Sequence, residues 1–177
     1  MKVTKFALMV LFASCMSAAW AAPAFDSLSF GKQSTRCDSN STRATTAPDG
    51  SAFSILFDKV NAEGGTKIRG RDRARCDVTL KLAAPLNVPA TIQMDVRGVI
   101  HLTGKGMASA TLAMHGRKQM LNFDAKDDAG FHRVMVNLPK GAKKLDMTFE
   151  AFAKGDFPDS SALIAIDSLE AVFESKP

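Results

Sequence analysis

Apolar and polar residues alternate with a period of two along most of this chain, and helical periodicity is nearly absent. The longest alternating run extends from Ile92 to Leu102, and a shorter one places Phe53, Ile55 and Phe57 on one face. Successive side chains of an extended strand point to opposite faces, so this pattern gives each strand one buried face. Short strands separated by turn residues predict an all-β fold, a single antiparallel β-sandwich of about eight to ten strands, with a jelly roll as one form of it.

The alternation and the turn residues between the runs define the predicted strands. They cover residues 25–30, 41–46, 53–57, 74–82, 92–102, 108–114, 118–123, 131–138, 144–152 and 161–173. The last segment has a mixed pattern, so a helix is the alternative there. Residues 61–66, which include Gly64 and Gly65, are predicted to form a loop.

The length of 177 residues allows one domain with a substantial core and is too short for two ordinary domains and a linker. Charged residues make up 23% and hydrophobic residues 46%, which excludes a disordered or collagen-like chain. No apolar run reaches the roughly 20 residues of a membrane-spanning helix.

The N-terminal segment has the pattern of a secretory signal peptide. Lys2 and Lys5 precede an apolar stretch at residues 6–16, and Ala19-Trp20-Ala21 is a cleavage site of the A-x-A type. The sequence therefore predicts a signal peptide at residues 1–21, a β-sandwich domain at residues 22–177, and a secreted or periplasmic location. Cys15 follows a sequence similar to a lipobox, so a lipoprotein is the alternative.

Removal of this segment would lower the formal net charge from +5 to +3 and would leave no Trp and no Tyr. Binding sites for neutral sugars commonly use the flat faces of these two residues, so little affinity for neutral glucans is expected.

Cys37 and Cys76 would remain, and in an oxidising compartment they are predicted to form a disulfide. Two cysteines alone cannot form a structural zinc site.

Five cationic residues lie at alternate positions, namely Lys67, Arg69, Arg71, Arg73 and Arg75. On one extended strand they would project from the same face with about 6.6 Å between neighbours. Such a row predicts a binding site for an anionic polymer, for example an acidic polysaccharide, lipopolysaccharide or nucleic acid. A break of the strand at Gly70 and Asp72 would scatter this row. The alternative is a solvated edge strand whose charges prevent aggregation.

Three other groups of residues are candidates for catalytic or metal-binding sites. Asp95, Arg97 and His101 fall on the outward face of one predicted strand, where they form either an acid–base site or a surface ion pair. The three histidines, His101, His115 and His132, do not have metal-motif spacing. Five aspartates in predicted loops could hold Ca²⁺ or simply form turns; they are Asp124, Asp127, Asp128, Asp156 and Asp159.

No G-x-S-x-G, P-loop or dinucleotide-binding motif is present in the sequence. The sequence therefore predicts no catalytic residues, no metal site and no cofactor. The leading hypothesis is a secreted or envelope-associated binding module for an anionic polymer or surface. The alternatives are a hydrolase acting on cell-wall or polysaccharide substrates and a secreted effector or structural protein that acts through protein contacts.

Several segments, taken in order, resemble the secreted domain-of-unknown-function family 4360. They are residues 47–51, 53, 55–58, 73–82, 95–98 and 102, and the resemblance covers about residues 28–123. Arg36 and Asp38 flank Cys37 where small residues are expected, and Val96 stands where an aromatic residue is common, so the chain resembles a divergent member. The resemblance implies export, a disulfide and a β fold, and it implies no activity.

Overall fold

The computed structural model describes residues 23–66, 70–123 and 130–174, and within these ranges every regular element is a β-strand. The strands are β1 (Phe25–Phe30), β2 (Thr42–Thr46), β3 (Ala52–Phe57), β4 (Asn61–Gly64), β5 (Arg71–Leu82), β6 (Ala90–Thr103), β7 (Met107–Met114), β8 (Arg117–Leu121), β9 (Gly130–Leu138), β10 (Lys144–Lys154) and β11 (Ser161–Phe173). These described ranges contain no helix with the length and apolarity needed to cross a membrane.

The strands form two antiparallel sheets. The first sheet has the order β1-β5-β10-β7-β8, and the second has the order β2-β3-β11-β6-β9, with β4 paired to β11. Strands that are distant in sequence become neighbours, so that all eleven residues of β10 pair with β5. The predicted all-β sandwich is confirmed.

The inward faces of the two sheets enclose a single apolar core, as the alternation predicts. Phe57 from the second sheet packs against Phe149 from the first, with ring centroids 5.3 Å apart. The ring centroid of Phe25 lies 5.9 Å from that of Phe53 and 4.5 Å from that of Phe173. These contacts close the core where β1 begins and β11 ends. Leu102, predicted to point inward, is exposed, and the described part of β9 pairs with β6 only as far as Gly98.

The predicted loop at residues 61–66 is wrong over residues 61–64, which form β4 and pair with β11. Ala62 is fully buried, and a Cβ on Gly64 would lie 2.6 Å from the Cα of Lys154. The glycine therefore permits β4 to approach the backbone of β10. A glycine in a strand that marks close backbone approach is easily mistaken for a glycine in a turn.

The segment with the mixed pattern, Ser161–Phe173, is the strand β11 and not a helix. Its pairing with β6 shifts between Ile166 and Ser168, so Asp167 is the extra residue of a β-bulge. The bulge changes the phase of the alternation halfway along the strand. This phase change accounts for the mixed pattern in the sequence.

The predicted disulfide between Cys37 and Cys76 is confirmed, with 5.4 Å between the two Cα atoms. It fixes the connection from β1 to β2 against β5. The same connection also bonds to the edge of β5, because the Thr35 amide donates to the Arg75 carbonyl at 2.9 Å and the Gly31 amide donates to the Asp77 carbonyl at 2.8 Å. The signal-peptide prediction concerns residues 1–21, which lie outside the described residues and remain a prediction.

Loss of the disulfide should destabilise the fold substantially. Cys37→Ser is expected to lower the free energy of unfolding by about 2–5 kcal/mol, because the unfolded chain is then free of a cross-link that closes a long loop. Urea unfolding with and without reductant measures the effect. Reductant should lower the stability of the wild type towards that of the variant and leave the variant unchanged; two free thiols in the exported wild-type protein would contradict the prediction.

Candidate anion-binding surface

The predicted cationic row lies partly on β5. Arg71, Arg73 and Arg75 all project from the outer face of the first sheet, because the residues between them alternate towards the core. Asp72 does not interrupt the strand, and β5 begins immediately after Gly70. Lys67 and Arg69, the other two members of the row, lie outside the described residues, so the five-residue site remains a prediction.

The neighbouring strand β10 adds a further cation, Lys154, beside the end of the row that holds Arg71 and Arg73. Lys154 pairs directly with Arg71, and Phe152 pairs with Arg73. The guanidinium carbon of Arg73 lies 5.8 Å from the centre of the Phe152 ring, within the range of a cation–π contact. We call Arg71, Arg73 and Lys154 the basic patch.

The basic patch has no counter-ion within the described part of the chain. No carboxylate from residues 23–66, 70–123 or 130–174 lies in salt-bridge distance of Arg71, Arg73 or Lys154. Arg71 and Lys154 are both exposed. Their charges are therefore accessible to an anion from solution.

Arg75 differs from the patch because two carboxylates engage it. Its guanidinium contacts Asp77 at 3.0 Å and Glu150 at 3.3 Å. Lys118 from β8 contacts the other oxygen of Glu150 at 2.6 Å. These four residues contribute two positive and two negative charges, so this part of the outer face is electrically neutral. We call them the neutral network.

The pKa values within the neutral network reflect this pairing. Partial burial alone would raise the pKa of Asp77, but hydrogen bonds from Arg75 and Thr148 and the charge of Arg75 outweigh it and hold this pKa below its usual range. The hydrogen bond from Lys118 chiefly lowers the pKa of Glu150, against a smaller opposing effect of burial. Both carboxylates are therefore ionised at neutral pH, and each forms an ion pair with the cation beside it.

Sequence reasoning missed Lys154 and Phe152 as parts of this surface. Phe152 ends the predicted strand 144–152 and Lys154 lies beyond it, whereas β10 extends to Lys154, so that both residues share its outer face. That they lie beside Arg71 and Arg73 depends on the pairing of β10 with β5, which are about eighty residues apart in sequence. No local pattern specifies which strands become neighbours.

The alternative of a solvated edge strand applies to only part of β5. Residues 78–82 pair with β1, and the loop before Cys37 bonds to Arg75 and Asp77. On the side away from β10, Arg71 and Arg73 have no strand partner among the described residues. The charged end of β5 thus has an exposed outer face, whereas Asp72, on its other face, is bound by Arg36 at 2.7 Å.

Asp95, Arg97 and His101, the candidates for an acid–base site, do not come together on the second sheet. Arg133 of β9 holds Asp95 through two hydrogen bonds of 2.7 and 2.9 Å, and Arg97 lies 3.7 Å from Glu170. His101 lies six residues from Asp95 on the same strand, a distance of about 20 Å. The arrangement consists of surface ion pairs, the second of the two readings that the sequence allowed.

Within the described ranges, no three His, Cys, Asp or Glu side chains are close enough together to hold a metal ion. Two of the loop aspartates weighed as calcium ligands, Asp156 and Asp159, are among these residues. Asp124, Asp127 and Asp128 lie outside them, so the calcium hypothesis for that loop is untested. The histidines are dispersed, with His101 at the end of β6, His115 in the β7–β8 turn and His132 on β9.

The same substitution at Arg73 and at Arg75 should lower the stability to different degrees. Arg75→Gln is expected to lower the free energy of unfolding by about 1–3 kcal/mol, because it leaves the partly buried Asp77 without its cation. Arg73→Gln removes only a cation–π contact and should cost at most about 1 kcal/mol. Chemical unfolding of both variants measures the difference, and equal losses would contradict the assignment of Arg75 to a structural network.

The lowered pKa of Asp77 predicts a specific acid sensitivity. A carboxyl whose pKa is lower in the folded than in the unfolded chain stabilises the fold above its unfolded pKa of about 4, and this contribution is lost as the pH falls through the folded pKa. Asp77→Asn should therefore reduce the loss of stability on acidification. Urea midpoints measured from about pH 7 to pH 2 test this, and parallel curves for both proteins would refute it.

Comparison with solved structures finds distant similarities at low TM-scores. The CBM36-1 domain of a multidomain xylanase from the hindgut metagenome of Trinervitermes trinervoides is 14% identical, with a TM-score of 0.33 over 85% of this chain and 98% of that chain. TmCBM61 in complex with β-1,4-galactotriose is 9% identical, with a TM-score of 0.32 over 84% and 88%. The C-terminal CBM6 of the laminarinase LamC from Zobellia galactanivorans is 9% identical, with a TM-score of 0.25 over 78% and 93%. These TM-scores are too low to support a conclusion about the ligand.

No curated protein matches this sequence. Residues 34–126 match a family described as a domain of unknown function, DUF4360, which confirms the resemblance noted in the sequence. The match spans more than half of the chain and includes β2 to β8, together with both cysteines and all five residues of the predicted cationic row. The chain belongs to the DUF4360 family.

Proposed function

We propose that this protein is an exported, non-enzymatic binding module whose basic patch holds an anionic polymer such as an acidic polysaccharide or lipopolysaccharide. The disulfide is compatible with an oxidising compartment outside the cytoplasm. The ligand lies along the outer face of the first sheet, across the ends of β5 and β10. Lys67 and Arg69, which precede β5 in the sequence and lie outside the described residues, stay in the proposal as predicted members of the cationic row.

The observation that supports this proposal most directly is the pairing of two like charges. Arg71 and Lys154 are direct cross-strand neighbours on an exposed face. Like charges in this position destabilise a sheet by a few tenths of a kcal/mol up to about 1 kcal/mol. Elsewhere on this face, Arg75, Lys118 and Lys144 each contact a carboxylate, whereas Lys81, which lies opposite Lys144 at the other end of the sheet, contacts none that the structure describes. An uncompensated pair at one end is suited to an anion supplied by a ligand.

The side chains of the patch suit extended anions with sulfate, phosphate or carboxylate groups. The guanidinium groups of Arg71 and Arg73 each present two parallel N–H donors to such groups. Phe152 lies beneath Arg73 and restricts its motion, which lowers the entropy cost of holding it in a binding orientation. The patch lies on an open sheet face, so a long chain can cross it without threading.

The geometry of the second sheet favours binding over hydrolysis. A hydrolase that uses an acid and a base needs the two groups within reach of one substrate atom. Asp95 is instead bound to Arg133, and His101 lies at the far end of its strand. The hydrolase alternative therefore receives no support from the only acid and histidine that the sequence placed on one face.

Removal of the basic patch should weaken binding to anionic polymers strongly. The triple variant Arg71→Ser, Arg73→Ser, Lys154→Ser loses three cations, each worth about 1 kcal/mol near an anionic surface, so the affinity for heparin or lipopolysaccharide should fall about a hundredfold at low salt. The slope of log affinity against log salt should also fall by about 2, because fewer counterions are released. Binding measured against salt for both proteins tests this.

A control variant with the same change in net charge locates the effect. Lys81, Lys140 and Lys143 are exposed at the opposite end of the first sheet, so their replacement by Ser removes three charges far from the patch. The control variant should retain most of the affinity of the wild type. Equal losses in both triple variants would show that the polymer responds to net charge alone and would refute a localised site.

Retention of the wild type on cellulose or starch at high salt would contradict the proposed preference for anions.

A further inference from the structure

The two sheets separate at one edge of the sandwich, between β8 and β9. Arg117 and Gln119 lie on the same face of β8 as Leu121, which is 2% exposed, so this face points towards the interior. Both polar residues are nevertheless exposed. The interior of the sandwich is therefore open to solvent beside these two residues.

The opening forms a cleft of about 540 Å³. Its floor includes Val134 and Val136 of β9, which are only 3% and 6% exposed and belong to the core. Met114, which is partly buried against the core, contributes further apolar surface. The volume lies within the roughly 300–1,000 Å³ typical of small-molecule sites, which are mostly apolar with a few polar groups that fix orientation.

The polar groups of the cleft are all neutral or cationic. Arg117, His115, Gln119 and Asn137 line it, and no Asp or Glu is among its described lining residues. Arg117 has no carboxylate within salt-bridge distance in the ranges that the structure describes. At the inner end, the side-chain nitrogens of Gln119 and His132 approach to 3.0 Å and link the two sheets.

An inward charge on an edge strand can also serve to prevent edge-to-edge aggregation. That role requires only an exposed charge at the edge. It does not require a cleft that reaches two valines of the core, nor a polar link that spans the cleft at its inner end. The combination of a guanidinium that no described carboxylate contacts with the partly exposed apolar side chain of Met114 is the arrangement that a ligand with one charged end would occupy.

We propose that the cleft between β8 and β9 binds a small amphipathic carboxylate. Its carboxylate pairs with the guanidinium of Arg117 in a bidentate manner, and its apolar part covers Val134 and Val136. Burial of the apolar part contributes about 25 cal/mol for each Å² removed from water. No Phe, Trp or Tyr is among the described residues that line the cleft, which disfavours stacking of a sugar ring. This site is separate from the basic patch and does not depend on it.

Octanoate serves as the probe, and the methionine methyl groups serve as reporters. In protein with ¹³C-labelled methionine methyl groups, octanoate should shift the signal of Met114, which lines the cleft. The signals of Met107 and Met120, which are exposed on the outer face of the first sheet, should not move. Octylammonium, which reverses the charge on the same chain, should bind at least tenfold more weakly than octanoate.

Arg117→Gln should weaken octanoate binding at least tenfold, whereas Lys118→Gln, which removes the adjacent charge from the opposite face of β8, should leave it unchanged. The triple variant of the basic patch should also bind octanoate normally, so failure of the proposed polymer site and failure of this one are distinguishable. The proposal is overturned if Met114 does not respond, if octylammonium binds as tightly, or if Arg117→Gln binds octanoate like the wild type.

Discussion

The alternation of apolar residues along paired strands is the constraint on which the rest of this structure depends. On β5, Ala74 and Cys76 must face the core, so Arg73 and Arg75 must face outward. A shift by one residue would exchange the two faces and bury the cations. The disulfide of Cys76 and the bonds from the preceding loop to the β5 edge hold this strand in register. The positions of the surface charges thus follow from the requirements of the core.

The identity of each cross-strand neighbour then decides which cations are available to a ligand. Arg73 and Arg75 are equivalent in sequence, since both alternate on the same strand. Arg75 lies opposite Glu150 and is neutralised, whereas Arg73 lies opposite Phe152 and keeps its charge accessible. A row that is uniform in sequence is therefore divided in the structure into a part that supports the sheet and a part that is open to solvent.

The sequence alone was sufficient for most of the strands, for the sandwich and for the disulfide, because alternation and cysteine chemistry are local or depend on composition. It was insufficient for β4, whose glycine serves close packing and not a turn. It was also insufficient for the neutral network, which joins residues from β5, β8 and β10. The cleft was missed because Arg117 and Gln119 interrupt the apolar pattern and do not suggest an inward-facing strand. Long-range pairing is the information that the local patterns lack.

The two proposed sites depend on different physical forces, and salt separates them. Binding at the basic patch would derive mainly from release of counterions by an exposed surface, so it should weaken steeply as salt rises. Binding in the cleft would derive largely from burial of apolar surface, which salt does not screen, with one partly shielded ion pair in addition. A lipopolysaccharide presents both a phosphorylated surface and acyl chains. The component of its binding that survives high salt would therefore report on apolar contacts, and the component that is lost would report on the arginines and lysine of β5 and β10.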